Sequence, residues 1–363
     1  MAKRLRADRT LFIVTVLLLF VGLVMVFSAS AVVAQERFGS PYAFFLRQLV
    51  WAIAGMAALV ATMKLDYRRL NHPVVVSSLL AMTALLLTAV FFLDRSHNTH
   101  RWIRFGEFSF QPAELAKPAI IFFLAYFLHD RLKWMDDWRH TLLPAAIPTA
   151  LFAAMIALQP DLGTSVVCLA ITACVLFVAG MRMRYFGYAL GVLLVPLYLL
   201  LFRVPWRYER LLAFVNPYSD PQGRGFHIIQ SLIAVGTGGF AGMGLMEGKQ
   251  KLFYLPEPHT DFIFAVTAEE MGLVGSLVVL ALFAAFLVRG IRTAYLAKDP
   301  HARLLAAGIT AMVVLQALMN ISVVLALMPT KGIPLPFISY GGSSLFVTLA
   351  SVGVLLNITQ HTD

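Results

Sequence analysis

Long apolar runs recur along the whole chain, and they constrain its fold more than any other feature. A helix needs about 20 apolar residues to cross the hydrocarbon core of a bilayer. Each run should be helical, because only helices and closed barrels pair all their backbone groups inside a membrane. The runs predict ten spans, at 11–34, 44–63, 74–93, 112–128, 142–158, 164–180, 185–202, 262–288, 303–327 and 340–358. Residues 1–363 are therefore expected to form a single all-α polytopic membrane domain.

Composition supports a membrane protein and argues against a nucleic-acid partner. The chain is 60% hydrophobic and only 13% charged, which excludes an ordinary soluble globule. Its net charge of +10 comes from basic residues in short loops, where they set topology. The first apolar run follows four basic residues, as in a signal peptide, but it extends to Ala34, which is the length of a span.

The distribution of basic residues predicts the orientation. One set of segments carries 16 Lys and Arg residues, at 1–10, 64–73, 129–141, 181–184 and 289–303, whereas the short loops on the other side carry five. The positive-inside rule places the richer set, and both termini, in the cytoplasm. The loops 94–111, 159–163, 203–261 and 328–339 then face outward.

The large outer loop 203–261, between the seventh and eighth spans, is too long for an ordinary connection. Its sequence predicts two short helices, at 207–215 and from Phe226 to Val235. Six glycines follow within 236–248. They are typical either of a flexible linker or of a mobile loop that closes over a cavity.

Ionisable residues cluster where this loop enters the eighth span. Glu257, His259 and Asp261 precede the apolar run, and such groups are costly at a membrane helix. One interpretation is that Thr260 or Asp261 is a helix N-cap, which is the common role of these residue types. The other interpretation is that Asp261 is a catalytic acid or base, with Glu257 and His259 positioning it or contacting a metal.

Cations from other outer segments offer partners for an anionic group. Glu114 and Lys117 lie three residues apart on one helix face, which indicates either a local ion pair or a cation directed into an outer cavity. Arg101 and Arg104 flank Trp102 and fit either a membrane-interface anchor or a phosphate clamp. His97 and His100 have metal-ligand spacing, but no third ligand is apparent.

A second unusual outer segment runs from Met328 to Ser344 and contains three prolines. Irregular apolar backbone at membrane depth must be buried in protein or line a cavity. A helix starting at Ser339 or Tyr340 would present free N–H groups, a ready anion site. The sequence therefore predicts either a plain re-entrant turn or an anion site formed by Lys331, Ser339, Tyr340, Gly341 and Ser343.

Together these features fit an acid acting beside a phosphate-bearing lipid. A carboxylate can take the proton of an attacking hydroxyl. Cations and N–H groups can stabilise a departing diphosphate. A lipid tail on the substrate would explain why the site lies at the bilayer surface.

Several motifs are similar to those of the SEDS family (shape, elongation, division and sporulation), typified by RodA and FtsW. They are FSAS at 27–30, RWI at 101–103, QPAELAK at 111–117, QPDLGT at 159–164, NPYSDPQGRGFHIIQS at 216–231, LPEPHTDFIFAVTAEE at 255–270 and PTKGIPLPFISYGGSS at 329–344. The motifs PTKG and LPFISYGGSS resemble the FtsW branch more than the RodA branch, whereas the short tails resemble RodA.

This resemblance implies a peptidoglycan glycosyltransferase of the bacterial cytoplasmic membrane, acting in cell division or elongation. Its members polymerise lipid II into β-1,4 glycan strands and release undecaprenyl diphosphate. Asp261 matches the family's essential aspartate, and Glu114 and Lys117 match residues of the central outer cavity. A divalent cation, Mg²⁺ or Mn²⁺, is a family expectation, although the sequence contains no dedicated cage. The expected partners are a class B penicillin-binding protein and other divisome or elongasome membrane proteins.

Two other functions use the same features differently. A lipid II flippase would also bind diphosphate, but it should place polar groups at several depths and reach both faces. A non-catalytic scaffold for the transpeptidase would not require Asp261. Most of the unusual residues cluster at the outer loops, which favours the polymerase.

Overall fold

The computed structural model describes residues 7–94, 100–105, 108–252 and 254–362. The basic residues Lys3, Arg4 and Arg6 lie outside these ranges. So does His97, and the predicted metal-ligand pair of His97 and His100 therefore lies partly outside the described residues. Within the described ranges the chain is predominantly helical, and its only strands are a three-residue antiparallel pair, β1 (Ile103–Phe105) and β2 (Phe108–Phe110).

Twelve α-helices follow one another along these ranges. They are α1 (Arg9–Phe38), α2 (Ala43–Lys64), α3 (Pro73–Leu93), α4 (Pro112–Leu128), α5 (Leu143–Leu158), α6 (Leu162–Val178), α7 (Met183–Phe202), α8 (Pro205–Val215), α9 (Phe226–Thr237), α10 (Ile263–Leu296), α11 (Pro300–Val324) and α12 (Gly342–Thr359). Ten of them coincide with the predicted spans. Eight are long and apolar enough to cross a membrane, counting the π-helical turn before α5, whereas α4 and α6 have only 17 residues each.

The helix starts follow local sequence signals. The carboxylates of Asp8, Asp161 and Asp299 accept hydrogen bonds from backbone N–H groups in the first turns of α1, α6 and α11. Proline occupies the first turn of α4, where its missing N–H costs nothing. Asp161 therefore caps α6 through the Thr164 N–H, at 3.0 Å.

The core lies along α4, α11 and α12, which bury most of their residues. In contrast, α7 buries none of its 20 residues and stands at the edge of the bundle. The two predicted helices of the outer loop are present as α8 and α9. They lie beside the start of α10, at the end of the bundle where the loops 94–111, 159–163, 203–261 and 328–339 converge, which we call the Asp261 end.

The glycine-rich segment is fixed rather than free. Helix α10 breaks at Gly272, which has a φ of 64°, and the segment pairs with the broken turn. The N–H groups of Met243 and Gly244 donate to the carbonyls of Glu269 and Glu270, each at 3.0 Å. A side chain at Gly242 would lie 2.1 Å from the Glu270 carbonyl oxygen. Only glycine allows this approach, so neither a flexible linker nor a mobile loop describes the segment.

Two buried glutamates anchor the same segment from α10. The Glu269 carboxylate accepts the N–H groups of Lys249 and Gln250, at 2.8 and 3.1 Å. The Glu270 carboxylate pairs with the Lys251 ammonium at 2.6 Å and accepts from the Ser28 hydroxyl. Buried carboxylates are stable only when paired in this way. These bonds therefore hold residues 249–251 in place, and the chain continues from there to Asp261.

Candidate active site

Two cavities meet at Asp261. The larger, of about 700 Å³, lies between the α5–α6 turn, α7, α8 and the segment after α11. The smaller, of about 350 Å³, lies between α8, α9 and the loop before α10. Both are also lined by Trp206, Arg210, Lys331 and Gly332. Such concave sites with a few convergent polar groups are the usual form of an enzyme site.

Asp261 is not a helix cap. Helix α10 begins at Ile263 with Phe262 at the N-cap position and no side-chain cap, so the capping interpretation is wrong. Burial, with further contributions from Glu257 and Asp161, raises the pKa of Asp261 to about 7, while Arg101 and Arg210 oppose the rise. A carboxyl with a pKa near the working pH is suited to accepting a proton.

Four cations line the larger cavity: Arg101, Arg207, Arg210 and Lys331. Arg101 is held by the α5–α6 turn, since its Nε donates to the Gln159 carbonyl at 2.9 Å and its guanidinium also donates to the Pro160 carbonyl. Burial lowers the pKa of Lys331. Apolar side chains also line this cavity, among them Val166, Leu197, Leu201 and Leu211. A site with clustered cations and an apolar wall can hold a phosphate group that carries a hydrocarbon tail.

The two outer segments fix Asp261 by bonding to each other and to α11. The Asn320 amide donates to the carbonyls of Asp261 and Ile333, at 2.8 and 2.7 Å. The Ser339 hydroxyl donates to the Thr260 carbonyl at 2.6 Å. A Cβ at Gly332 would lie 2.8 Å from the Asp261 Oδ2 atom. The carboxylate therefore stands on rigid backbone, as a catalytic group requires.

Glu114 and Lys117 do not face either cavity. Both are buried, and the Lys117 ammonium binds the Glu114 carboxylate at 2.8 Å and the Gln316 amide oxygen at 2.6 Å. The Gln316 amide nitrogen donates to the Pro334 carbonyl at 2.9 Å. The prediction of a cation directed into an outer cavity is thus wrong for this structure, and the local ion pair is what forms. Its position supports the segment after α11 rather than a substrate.

The predicted anion site at the start of the last span is also occupied by protein. Helix α12 begins at Gly342, later than Ser339 or Tyr340. The Tyr340 N–H donates to the His259 carbonyl at 2.9 Å, and the Gly341 N–H donates to the Gln48 side chain at 3.2 Å. The Ser343 hydroxyl accepts from the Gln111 N–H at 3.3 Å. Ser339, Tyr340, Gly341 and Ser343 therefore bond to other parts of the protein. Of the predicted set, only Lys331 lines either of the two cavities.

The remaining predicted residues divide between the cavities and the frame around them. Glu257 lines the smaller cavity, with an exposed carboxylate and a positive φ of 48°. His259 is buried against Phe44 and Tyr340, with ring centroids 4.5 and 5.6 Å away, and its Nε2 atom lies 3.7 Å from the Glu257 carboxylate, so it contacts Glu257 without lining either cavity. Arg104 lies exposed on β1 and lines neither cavity, which leaves Arg101 alone from the predicted clamp.

No preformed metal cage exists in the described ranges, where no group of three or more His, Cys, Asp or Glu side chains converges. Carboxylates nevertheless face the smaller cavity from Asp261, Glu257 and Glu209. Mg²⁺ commonly takes one or two carboxylates and completes its shell with water and substrate phosphates. The donor set therefore fits a divalent cation that arrives with a diphosphate.

Sequence reasoning missed Arg207 and Arg210. They lie three residues apart on α8, and each guanidinium stacks on Trp206, at 4.9 and 5.2 Å from the ring centroid. The amphipathic pattern predicted α8 but not which neighbour its basic face would meet. The signal was the i, i+3 spacing of two arginines beside a tryptophan, which places all three on one face.

Comparisons with known proteins agree along nearly the whole chain. The family model for FtsW, RodA and SpoVE, described as cell cycle protein, matches residues 8–363. A protein of Geobacter metallireducens named probable peptidoglycan glycosyltransferase FtsW is 42% identical over 98% of this chain and 95% of its own length. Stage V sporulation protein E of Bacillus subtilis is 42% identical over 99% of both chains.

Solved structures show the same fold. A chain from a peptidoglycan synthase complex that coordinates polymerisation and crosslinking superposes with a TM-score of 0.81, at 32% identity over 98% of both chains. The rod shape determining protein RodA of Thermus thermophilus superposes with a TM-score of 0.70, at 28% identity over 98% of this chain and 97% of its own.

Proposed function

We propose that this chain, which belongs to the cell cycle family of FtsW, RodA and SpoVE, is a peptidoglycan glycosyltransferase that polymerises lipid II with Asp261 as general base. The observation that carries the proposal is the position of Asp261 at the junction of two cavities, one cationic and apolar, the other more polar. Two cavities at one carboxylate suit a reaction that joins two large substrates.

In this mechanism Asp261 acts on the acceptor. The 4-hydroxyl of an incoming lipid II enters from the smaller cavity and attacks the anomeric carbon of the glycan chain. The Asp261 carboxylate takes the hydroxyl proton as the new glycosidic bond forms. Attack from the face opposite the leaving group inverts the sugar and gives a β-1,4 link. Removing a positioned general base typically costs 10²- to 10⁴-fold in rate.

The larger cavity fits the donor's leaving group. The bond between the sugar and undecaprenyl diphosphate breaks, and negative charge grows on the departing oxygen. Arg101, Arg210 and Lys331 line the cavity that would receive this diphosphate, and preorganised cations are effective at such developing charge. The leucines that line the same cavity suit the first isoprene units of the lipid tail.

A divalent cation is part of the proposal as a companion of the diphosphate. Mg²⁺ or Mn²⁺ would take oxygens from Asp261 and Glu257, and it would neutralise charge on the leaving group. Glu209 also lines the smaller cavity, but no three such ligands converge within the described ranges, so we expect weak binding until substrate supplies its own oxygens.

The cellular setting follows from charge and relatives. We place the Asp261 end at the outer face of the bacterial cytoplasmic membrane, since the basic segments lie at the opposite end. A class B penicillin-binding protein is the proposed partner, because a related chain is found in a synthase complex that couples polymerisation to crosslinking. The FtsW and SpoVE relatives favour a role in division or sporulation over elongation.

The proposal is tested with purified full-length chain and its transpeptidase in vesicles that contain lipid II. We expect glycan polymer from the wild type and none from Asp261→Asn. The matched control is Asp130→Asn, which removes an exposed aspartate outside both cavities and should leave polymer unchanged. Equal polymer from Asp261→Asn would contradict the assignment of the base. Transbilayer movement of lipid II without polymer would instead support a flippase.

A further inference from the structure

A third cavity lies at the opposite end of the bundle from Asp261. It measures about 320 Å³ and is enclosed by the start of α1, the last turns of α10 and the end of α12. Arg9, Arg289 and Arg292 line it together with Asp8, so its net charge is +2. A cavity of this size is large enough for a small ligand group, and the function proposed above makes no use of it.

One of the three arginines is held by the protein and two are available. Arg289 Nε binds the Asp8 carboxylate at 2.7 Å, and the same carboxylate caps α1 through the Leu11 N–H at 3.1 Å. Within the ranges that the structure describes, neither Arg9 nor Arg292 forms an ion pair. Their guanidinium groups face a cavity whose single acid is already paired.

Hydroxyl groups complete the lining. Thr10, Thr293, Thr359 and Thr362 contribute to the wall, and Leu296 and Ala7 supply apolar surface. The Asp8 N–H donates to the Thr359 hydroxyl at 3.0 Å, which ties α1 to α12 across the cavity floor. The hydroxyls of Thr293, Thr359 and Thr362 already donate to backbone carbonyls. The guanidinium groups of Arg9 and Arg292 therefore supply the main donors, and arginine forks match the oxygens of a phosphodiester.

The position of the cavity selects the source of the phosphate. It lies at the ends of three long apolar helices, where lipid headgroups are expected, and on the side that the basic residues assign to the cytoplasm. Basic pockets between transmembrane helices on that side bind anionic headgroups. We propose that this cavity binds the phosphodiester headgroup of an anionic phospholipid of the inner leaflet. Bound there, the lipid would join α1, α10 and α12.

The test compares two double variants of the full chain. Arg9→Gln/Arg292→Gln removes the two available arginines, both exposed, while keeping the Asp8–Arg289 pair. Arg69→Gln/Lys133→Gln removes two exposed charges from the same side outside the cavity. Each protein is purified in detergent, and its thermal midpoint and bound lipid, by native mass spectrometry, are measured with phosphatidylglycerol, phosphatidylcholine or inorganic phosphate.

We expect phosphatidylglycerol, but not phosphatidylcholine, to bind and to raise the midpoint of the wild type and of the Arg69/Lys133 variant. The Arg9/Arg292 variant should bind phosphatidylglycerol at least about tenfold more weakly, since each cation near the surface contributes to anionic lipid binding. Equal binding by the two double variants would overturn the site. Equal stabilisation by inorganic phosphate would overturn the lipid headgroup as its ligand. Neither outcome bears on Asp261, because no polymerisation is measured.

Discussion

At the scale of single residues, the proposed role of Asp261 as general base ties activity to the titration of its carboxyl group. A general base acts as the carboxylate, and the pKa of Asp261 is raised to about 7. Activity is therefore present above that pH and is lost as pH falls through it. We expect kcat/KM for lipid II polymerisation, which reports the free enzyme, to show an acid limb near pH 7.

Charged residues near Asp261 set the pH at which this acid limb occurs. Glu257→Gln removes a negative charge that raises the pKa of Asp261, so the limb should move to lower pH. Arg210→Gln removes a positive charge that lowers it, so the limb should move to higher pH. Opposite shifts from the two variants would identify Asp261 as the titrating group. A limb that stays fixed in both would assign it to another residue.

Arg210 and Arg104 make a matched pair for testing the diphosphate site. Both are outer arginines, but only Arg210 lines the cavities beside Asp261. Arg210→Gln should lower kcat/KM by about 10- to 100-fold, because charge-assisted contacts to an anion contribute about 1.5–3 kcal/mol. Arg104→Gln should change it less than about threefold. The same loss in both would point to a general surface effect and against a specific site.

The close approach of Gly332 to Asp261 gives a steric test. A methyl group at Gly332 would lie 2.8 Å from Oδ2, so the carboxylate or the backbone must shift. Misplacement of a catalytic group by about 1 Å can cost 10²-fold. We expect Gly332→Ala to reduce kcat strongly without changing the thermal midpoint. Gly191→Ala, whose methyl meets no atom within 4 Å, is the control, and equal activity of the two variants would contradict a fixed carboxylate.

At the scale of elements, the break in α10 organises the route to the site. The ion pair of Lys251 and Glu270 holds the glycine-rich segment against that break, with side chains almost fully buried. Lys251→Met leaves Glu270 buried without its cation, which should reduce the free energy of unfolding by about 3–5 kcal/mol. Lys249→Met is the control, since only the backbone of Lys249 bonds to α10. Thermal unfolding in detergent measures both, and an unchanged midpoint for Lys251→Met would show that the pair contributes nothing.

The spans and both loop helices were predictable because each depends on a local pattern of apolar residues. Side-chain partners across the bundle were not. For Lys117 the sequence allowed either a local ion pair or a cation facing a cavity, and it could not show that Gln316, 199 residues away, supplies a second bond to the buried ammonium. For Asp261 the residue type allowed either a cap of α10 or a catalytic carboxylate, and the cap does not form because α10 begins at Ile263 with Phe262 at the N-cap position. Arg210 was overlooked because an amphipathic pattern shows which face is basic but not what that face meets.

At the scale of the whole molecule, the two ends of the bundle are assigned different tasks. The Asp261 end holds the cavities, the fixed loops and the cations proposed for the diphosphate. The opposite end holds the arginine cavity proposed for a phospholipid. Helix α10 connects them over its 34 residues. Helix α7 contributes Leu197 and Leu201 to the larger cavity and buries none of its residues, so a lipid tail that leaves this cavity past α7 would remain in the bilayer under the proposed function.

Single-turnover kinetics separates two possible roles of Asp261, proton transfer to the carboxylate and binding of the substrate. The rate of glycan bond formation at saturating lipid II is measured for wild type and Asp261→Asn, together with the affinity of each for lipid II. For Asp261→Asn we expect a rate reduced by about 10²- to 10⁴-fold with an affinity unchanged within about threefold. A rate that recovers when lipid II is raised to saturation would contradict it and would make Asp261 a binding residue.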